Sequence, residues 1–238
     1  MNYSQFLNMI PEATLMIVLL ITFIADFCSS KSADRKWFNP LVCLLMVAHI
    51  AFNIFPTEAT EAFGGMYTTS PAAGVLKTIL ALGTLIVMVQ AKEWLSRKDT
   101  AFKEGEFYML IISTLLGMNM MVSANHFLLF FLGLEMASVP MACLVAFDKY
   151  RHNSAEAGAK FVLTATFSSG VMIYGISLLY AACGTLYFND MAHVISASPL
   201  TIAGMVFFFS GLGFKISLVP FHFWTADSYQ GAPTTVTG

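Results

Sequence analysis

Seven apolar segments dominate this sequence, and each is about as long as a helix that crosses the ~30 Å hydrocarbon core of a membrane. They lie at 11–28, 37–55, 72–91, 107–124, 126–147, 157–182 and 200–222. A segment inside a bilayer finds no water for its backbone polar groups, so it folds as a helix that bonds them internally. The sequence therefore predicts an all-α, polytopic transmembrane helix bundle with about seven spans.

The composition agrees with a membrane location. Hydrophobic residues make up 57% of the chain and charged residues 11%, which leaves too little polar surface for a soluble domain. The chain lacks a basic surface of the kind that binds nucleic acid. Its four cysteines stand far apart without a Cys-x-x-Cys spacing, so no metal site is predicted. The lipid bilayer is the expected surrounding, and nucleic acid is not an expected partner.

Basic residues predict the orientation of the bundle. Of the twelve Lys and Arg residues, all but two lie within 31–36, 92–103 and 149–160, which are alternate connections between the spans. Short cytoplasmic loops accumulate Lys and Arg, so the amino terminus is predicted to lie outside. The two exceptions, Lys77 and Lys215, fall within predicted spans and need another explanation.

Lys215 stands inside the last apolar stretch, GMVFFFSGLGFKISLVPFHFWTADSY, five residues before Pro220. An ammonium group at the bilayer centre costs about 2.5–3.5 kcal/mol on insertion scales, so it needs a partner, a hydrated cavity or a function. A proline removes a backbone donor, and the carbonyls that it frees must be satisfied by protein or water. Charge and break together predict a discontinuous helix near Pro220 that lines an ion pathway.

Glu135 is the second charge at membrane depth. It is tenth in the segment 126–147, which places it roughly 14 Å below the outer surface. A buried acid and a buried lysine can form a proton switch, because a small change in separation or hydration alters the protonation of each. A static ion pair that fixes helix packing is the alternative. Lys215 is roughly 22–24 Å deep by the same count, so the sequence leaves open whether the two side chains touch.

Three further residues are candidate proton relays, each with a structural alternative. Lys77 lies near the outer end of the segment 72–91, where a long side chain can instead snorkel to the interface. Lys160 follows Glu156 by one turn, which also suits a solvated helix start. His222 follows the proline, and free imidazole titrates near physiological pH; a structural hydrogen bond is its alternative. Motifs of nucleotide, metal and nucleophile chemistry are missing, so no catalytic residue is assigned.

Three stretches carry a family resemblance: FLGLEMASVPMACLVAF, EAGAKFVLTATFSSGVMIYGISLLYAACG and GLGFKISLVPFHFWTADSYQGAPTTVTG. In order and spacing they resemble consecutive spans of the N subunit of respiratory complex I, the proton-pumping NADH:quinone oxidoreductase. The paralogous L and M subunits and the sodium/proton antiporter subunits share the same glutamate and lysine pattern. Members of the family are about twice as long, so the chain looks like the amino-terminal half of such a subunit.

The resemblance implies a fold with two inverted five-helix repeats, each containing a broken helix. Residues 1–106 are then three amino-terminal transmembrane helices. Residues 107–238 are four helices and the start of a fifth from the first antiporter-like repeat, which is incomplete. Glu135 and Lys215 are implied to be the paired charges of the first half-channel, and Pro220 the break in its discontinuous helix.

The resemblance also implies a non-redox subunit in the cell inner (plasma) membrane, whose half-channel couples quinone reduction to proton translocation. NADH and quinone are then used by the complex, and no cofactor is bound by this chain. The implied partners are other membrane subunits of complex I. Two alternatives remain open: a cation/proton antiporter subunit of a multi-subunit transporter, and a structural membrane subunit without conduction.

Overall fold

The computed structural model describes residues 3–29, 35–55, 59–97, 103–148 and 151–237. A 3-10 helix, Tyr3–Met9, leads into the first of the α-helices. These are α1 (Ile10–Ser29), α2 (Phe38–Asn53), α3 (Pro71–Leu95), α4 (Glu104–Val122), α5 (Phe127–Val145), α6 (His152–Cys183), α7 (Phe188–Val194), α8 (Pro199–Lys215), α9 (Phe223–Gly231) and α10 (Thr234–Thr237). One antiparallel hairpin, β1 (Thr60–Ala62) and β2 (Tyr67–Thr69), lies between α2 and α3.

Each of the seven predicted apolar segments is helical over most of its length, so the predicted all-α membrane bundle is confirmed. Within the described ranges, five helical stretches are long and apolar enough to cross a membrane: Gln5–Ser29, α3, α4, α5 and α6. The apolar helices α2 and α8 are shorter, with 16 and 17 residues. The prediction for the last segment was wrong at its end, because α8 stops at Lys215 and does not reach residue 222.

Two of the apolar helices begin with the same serine–proline signal. Ser70 precedes Pro71 at the start of α3, and Ser198 precedes Pro199 at the start of α8. Each serine hydroxyl accepts a hydrogen bond from a first-turn backbone amide, at 3.2 Å in α3 and 3.1 Å in α8. A proline in the first turn sacrifices no helical hydrogen bond, and its φ suits a helix. The local sequence therefore sets where both helices start.

The first four helices share one apolar core. Leu15, Met46, Met88 and Ile112 contribute to it from α1, α2, α3 and α4, and all four are fully buried. Because lipid is as apolar as these side chains, the core is stabilised by close packing between helices rather than by removal from water. Leu144 of α5 closes this core toward the later helices. The predicted division between residues 106 and 107 falls inside α4, which packs against both parts of the chain.

Glycines allow the closest approaches between helices. A Cβ atom at Gly117 of α4 would lie 2.4 Å from the backbone nitrogen of Ala137 in α5. A Cβ atom at Gly175 of α6 would lie 2.3 Å from the backbone nitrogen of Phe208 in α8. Small residues at membrane-helix interfaces let backbones meet in this way. These contacts hold α5 against α4 and α8 against α6. Glu135 lies on α5, Lys160 on α6 and Lys215 on α8.

The hairpin joins the ends of several helices. The amide of Thr68 donates to the carbonyl of Ser123, next to the α4–α5 turn, at 2.9 Å. The hydroxyl of Tyr187, between α6 and α7, donates to the carbonyl of Gly64 at 3.2 Å. Tyr67 of β2 is fully buried. We call this end of the bundle the hairpin side, and the distribution of basic residues predicts that it faces outside.

Candidate functional site

Helix α8 is interrupted directly after Lys215. Residues 216–222 form turns that include Pro220, and α9 begins at Phe223. The discontinuous helix predicted near Pro220 is therefore present, although the break begins before the proline. Lys215 is consequently the last residue of its helix, and not a residue in the middle of a continuous span.

Protein groups satisfy backbone carbonyls at the break. The carbonyl of Gly213 accepts a hydrogen bond from the amide of Leu218 at 2.8 Å. The carbonyl of Phe214 accepts one from the indole Nε1 of Trp224 at 3.0 Å. The carbonyl end of a helix is also the negative end of its dipole, which favours a cation by about 0.3–1 kcal/mol. Because Lys215 lies at this end, the break itself helps to stabilise a buried ammonium group.

Lys215 and Glu135 are in direct contact. The Nζ atom of Lys215 lies 3.2 Å from Oε1 of Glu135 and 3.1 Å from Oγ of Ser138, one turn further along α5. The hydroxyl of Ser169 in α6 donates a hydrogen bond to the same carboxylate oxygen. The side chain of Lys215 is 10% exposed and that of Glu135 is 30% exposed. Helices α5, α6 and α8 therefore meet at one charge-assisted hydrogen-bonded group.

The contact answers the question that the predicted depths left open. Lys215 lies roughly 24 Å along α8, whereas Glu135 lies roughly 12 Å along α5. Helical side chains lean toward the start of their helix. A lysine side chain is longer than that of glutamate, so the ammonium group reaches back toward the carboxylate. The remaining distance is closed by the way the helices pack, which cannot be calculated by counting residues along the sequence.

A cavity of about 300 Å³ lies beside Lys215. Its wall is mainly apolar but includes the hydroxyl-bearing residues Ser138, Thr164 and Ser168. One water occupies ~30 Å³ of liquid, so several could fit. Thr164 lies one turn along α6 from Lys160, and its hydroxyl donates to the Lys160 carbonyl at 2.7 Å. The cavity thus extends from the ion pair toward the side predicted to be cytoplasmic.

Lys160 has two acidic partners. Its Nζ lies 2.8 Å from Oε1 of Glu156, as the sequence spacing predicts, and 2.6 Å from Oδ2 of Asp227 in α9. Sequence reasoning missed Asp227, although an acid shortly after the helix break was a usable signal. His222 is exposed, and its ring stacks on Phe223 with the centroids 4.7 Å apart. Its roles as a proton shuttle or a hydrogen-bonding residue stay predictions.

The snorkelling interpretation of Lys77 was wrong. The residue is 4% exposed, and its Nζ lies 2.6 Å from Oε1 of Glu12 in α1 and 3.1 Å from the hydroxyl of Tyr67. Burial is possible because Glu12 supplies a counter-charge inside the protein. Sequence reasoning missed Glu12. Its position near the start of an apolar segment, together with a lysine that topology did not explain, was the available signal.

The described part of the chain is a polytopic helix bundle with an acid–lysine pair at a broken helix, and discontinuous helices form the substrate and ion sites of many membrane transporters. Residues 124–238 match the family described as NADH:quinone oxidoreductase/Mrp antiporter, transmembrane. Over 237 residues the chain is 56% identical to NADH-quinone oxidoreductase subunit N of Phocaeicola vulgatus. This match covers 100% of this chain and 50% of that protein. It is 34% identical to subunit N of Nitrosomonas europaea, covering 95% of this chain and 48% of that protein. The chain is thus related to NADH-quinone oxidoreductase subunit N, as the resemblance predicted.

Solved structures contain the same fold. A chain of respiratory complex I from Thermus thermophilus matches with a TM-score of 0.77 and 28% identity, over 95% of this chain and 48% of that one. A chain of the archaeal membrane-bound sulfane sulfur reductase matches with a TM-score of 0.74 and 21% identity, over 95% and 49%, which shows a shared fold. The chain spans about half the length of the curated relatives it matches. Its apolar helices and bacterial relatives identify a multi-pass protein of the inner membrane.

Proposed function

We propose that this chain contributes a proton half-channel to the membrane arm of a proton-pumping NADH:quinone oxidoreductase. The observation that carries the proposal is the contact between Lys215 and Glu135 at the end of a broken membrane helix. The relatives named as subunit N support the choice of complex. The role is non-redox: NADH and quinone react on other subunits, this chain binds no cofactor, and its partners are other membrane subunits.

The separation of Glu135 and Lys215 controls the proton. Two unit charges 4 Å apart attract by ~4 kcal/mol at an effective dielectric constant of 20, and by half of that at twice the distance. Moving the carboxylate away from the ammonium group therefore weakens the attraction between them by ~2 kcal/mol, and Lys215 then releases its proton more readily. Quinone reduction elsewhere in the complex drives this movement. The freed proton passes to neighbouring groups and water.

The route to Lys215 begins at the side predicted to be cytoplasmic. Glu156 and Asp227 hold Lys160 between them in a half-exposed group that can exchange protons with water. The cavity beside Lys215 is lined by Thr164 and Ser168, and Thr164 lies one turn along α6 from Lys160. Hydroxyl groups both donate and accept hydrogen bonds, so they can order water along such a path. Lys160 is then the first relay, with the exposed His222 as a further candidate.

The variant Glu135→Gln tests this function in the complete subunit within its complex. The amide keeps the shape of the side chain but removes the ~4 kcal/mol attraction, so proton pumping is expected to fall about tenfold or more. Pumping is measured in inverted membrane vesicles alongside NADH-driven quinone reduction. The exposed Glu106, changed to Gln, provides a matched control that retains pumping. Normal pumping by an assembled Glu135→Gln complex would refute the proposal.

A cation/proton antiporter subunit is the second candidate function. It is favoured by the family description, which joins NADH:quinone oxidoreductase to the Mrp antiporter. The same residues would then exchange a cation for protons without NADH or quinone. Sodium-dependent proton movement in vesicles that contain the complete subunit and its co-purifying chains distinguishes the two functions.

A further inference from the structure

The ammonium group of Lys215 has two hydrogen-bond acceptors, and one of them lines the neighbouring cavity. Its Nζ lies 3.2 Å from Oε1 of Glu135 and 3.1 Å from Oγ of Ser138. Ser138 belongs to the wall of the cavity of about 300 Å³, as does Lys215 itself. Among the described residues, neither Glu135 nor Ser169 belongs to that wall. Lys215 is therefore held by one partner at the cavity and by one that lies outside it.

The two bonds fix the direction of the remaining position on the nitrogen. An ammonium group has three N–H donors, and Glu135 and Ser138 accept from two of them. In the described ranges the third N–H has no partner, and because Lys215 lines the cavity, water entering the cavity is its available acceptor. When Lys215 is neutral, a lone pair takes this third position. The lone pair then faces the cavity and can accept a proton from it.

Ser138 contacts Lys215 as an acceptor and not as a donor. Its hydroxyl donates its single hydrogen to the carbonyl of Leu134, one turn earlier in α5, at 2.7 Å. A hydroxyl has one donor hydrogen and two acceptor lone pairs, so the oxygen is left to accept from Lys215. A bond from an ammonium group is charge-assisted and stronger than a neutral one. The bond inside α5 thereby fixes Ser138 as an acceptor for Lys215.

A serine that only bonds to its own helix is the simpler interpretation of Ser138. Ser113 of α4 makes the same kind of bond, because its hydroxyl donates to the carbonyl of Met109 at 2.8 Å. Such bonds within a helix do not stabilise it. This interpretation accounts for the hydrogen of the Ser138 hydroxyl but gives its contact with Lys215 no role. Comparing the two serines therefore separates the two interpretations.

We propose that Ser138 is a positioning residue, which holds Nζ of Lys215 at the cavity wall where the amine takes up its proton. The proposal rests on the proposed half-channel and adds the residue that directs proton uptake. A hydronium ion in the cavity gives its proton to the neutral amine, which leaves an ammonium group and water. The short Ser138 side chain is bonded to its own helix, so it remains an acceptor when the longer Glu135 side chain moves away.

Substitutions of Ser138 in the complete subunit within its complex test this role. Ser138→Ala is expected to lower proton pumping roughly tenfold in inverted membrane vesicles, because Lys215 loses its acceptor at the cavity. Ser138→Thr keeps the hydroxyl and is expected to retain most of the pumping. Ser138→Cys is close to serine in size, but its sulfur is a weak acceptor, so it should behave like Ser138→Ala. Ser113→Ala, the matched control, loses only a bond within its helix and retains pumping.

The supply of protons gives a second measurement. The side predicted to be cytoplasmic faces the medium in inverted vesicles, and the proposed path to Lys215 begins there. Acidifying the medium brings more hydronium to the cavity, so the pumping defect of Ser138→Ala relative to the unchanged subunit is expected to shrink. Glu135, the charged group that contacts Lys215 among the described residues, is the same in both proteins. A packing defect would leave this ratio unchanged.

Normal pumping by an assembled Ser138→Ala complex overturns the positioning role. Equal losses in Ser138→Ala and Ser138→Thr, at a ratio that does not change with the pH of the medium, also overturn it in favour of packing. Glu135→Gln is measured in the same assay. If Glu135→Gln loses pumping while Ser138→Ala does not, the positioning role alone fails. Normal pumping by Glu135→Gln refutes the half-channel, and the positioning role with it.

Discussion

Changing Lys215 to methionine is expected to abolish proton pumping by the complex, with or without slower quinone reduction. The substitution removes the ammonium group of the pair, which is the group proposed to carry the proton. Glu135 then keeps the hydroxyl of Ser169 as its remaining contact in the group. Breaking a buried ion pair by removing one partner costs about 3–5 kcal/mol. Assembly must therefore be measured with pumping, by the yield of intact complex from vesicle membranes.

The double variant Lys215→Met/Glu135→Gln separates a proton path from a packing role. Neutralising both partners removes the unpaired charge, and replacing a buried pair by apolar or neutral groups is often neutral or stabilising. We expect the double variant to assemble better than the single Lys215→Met variant and still not to pump. A static pair predicts normal pumping by the double variant. Lys92→Met, at an exposed lysine of α3, is the control for loss of one positive charge.

Changing Gly175 to leucine is expected to prevent stable assembly of the subunit. A Cβ atom there would lie 2.3 Å from the backbone nitrogen of Phe208, and a backbone cannot rotate away as a side chain can. Overpacking costs typically 1–3 kcal/mol, and more where backbones must separate. Separation of α6 from α8 also disturbs the group in which Ser169 and Lys215 both contact Glu135, so any assembled fraction should pump poorly.

Gly170 provides the matched control on the same helix. Apart from its chain neighbours and the backbone of its own helix, no described atom lies within 4 Å of a Cβ built at this position, so leucine fits without displacing another helix. The yield of assembled complex and its thermal unfolding in detergent measure the difference between Gly175→Leu and Gly170→Leu. Equal yields and equal unfolding temperatures for the two variants would contradict the role assigned to the close α6–α8 contact.

Local sequence determined the helices and several of their ends. A membrane helix satisfies its own backbone, so its presence depends on an uninterrupted apolar stretch that can be read without the rest of the fold. The starts of α3 and α8 depend on a serine followed by a proline, which are also local. Pro220 likewise indicated a discontinuous helix. Only the structure shows that the interruption begins directly after Lys215.

Sequence also nominated Glu135 and Lys215, because a charge inside an apolar segment is costly enough to require an explanation. It could not establish their contact, which depends on how far α5 and α8 are displaced along the membrane normal. It missed Asp227 beside Lys160 for the same reason. The roles of these residues as proton carriers remain predictions for the experiments above.

Lys77 is the clearest example of a residue whose burial and partner the sequence did not predict. Near the end of an apolar segment, a lysine can reach water, and a single sequence offers no reason to prefer burial. Its counter-charge, Glu12, is 65 residues away in the chain and becomes its partner only when the folded bundle brings the two side chains together. The sequence by itself determined which segments are helical and which charges need partners. Tertiary structure decided the partners, because hydropathy is a property of neighbouring residues whereas an ion pair depends on the packing of distant helices.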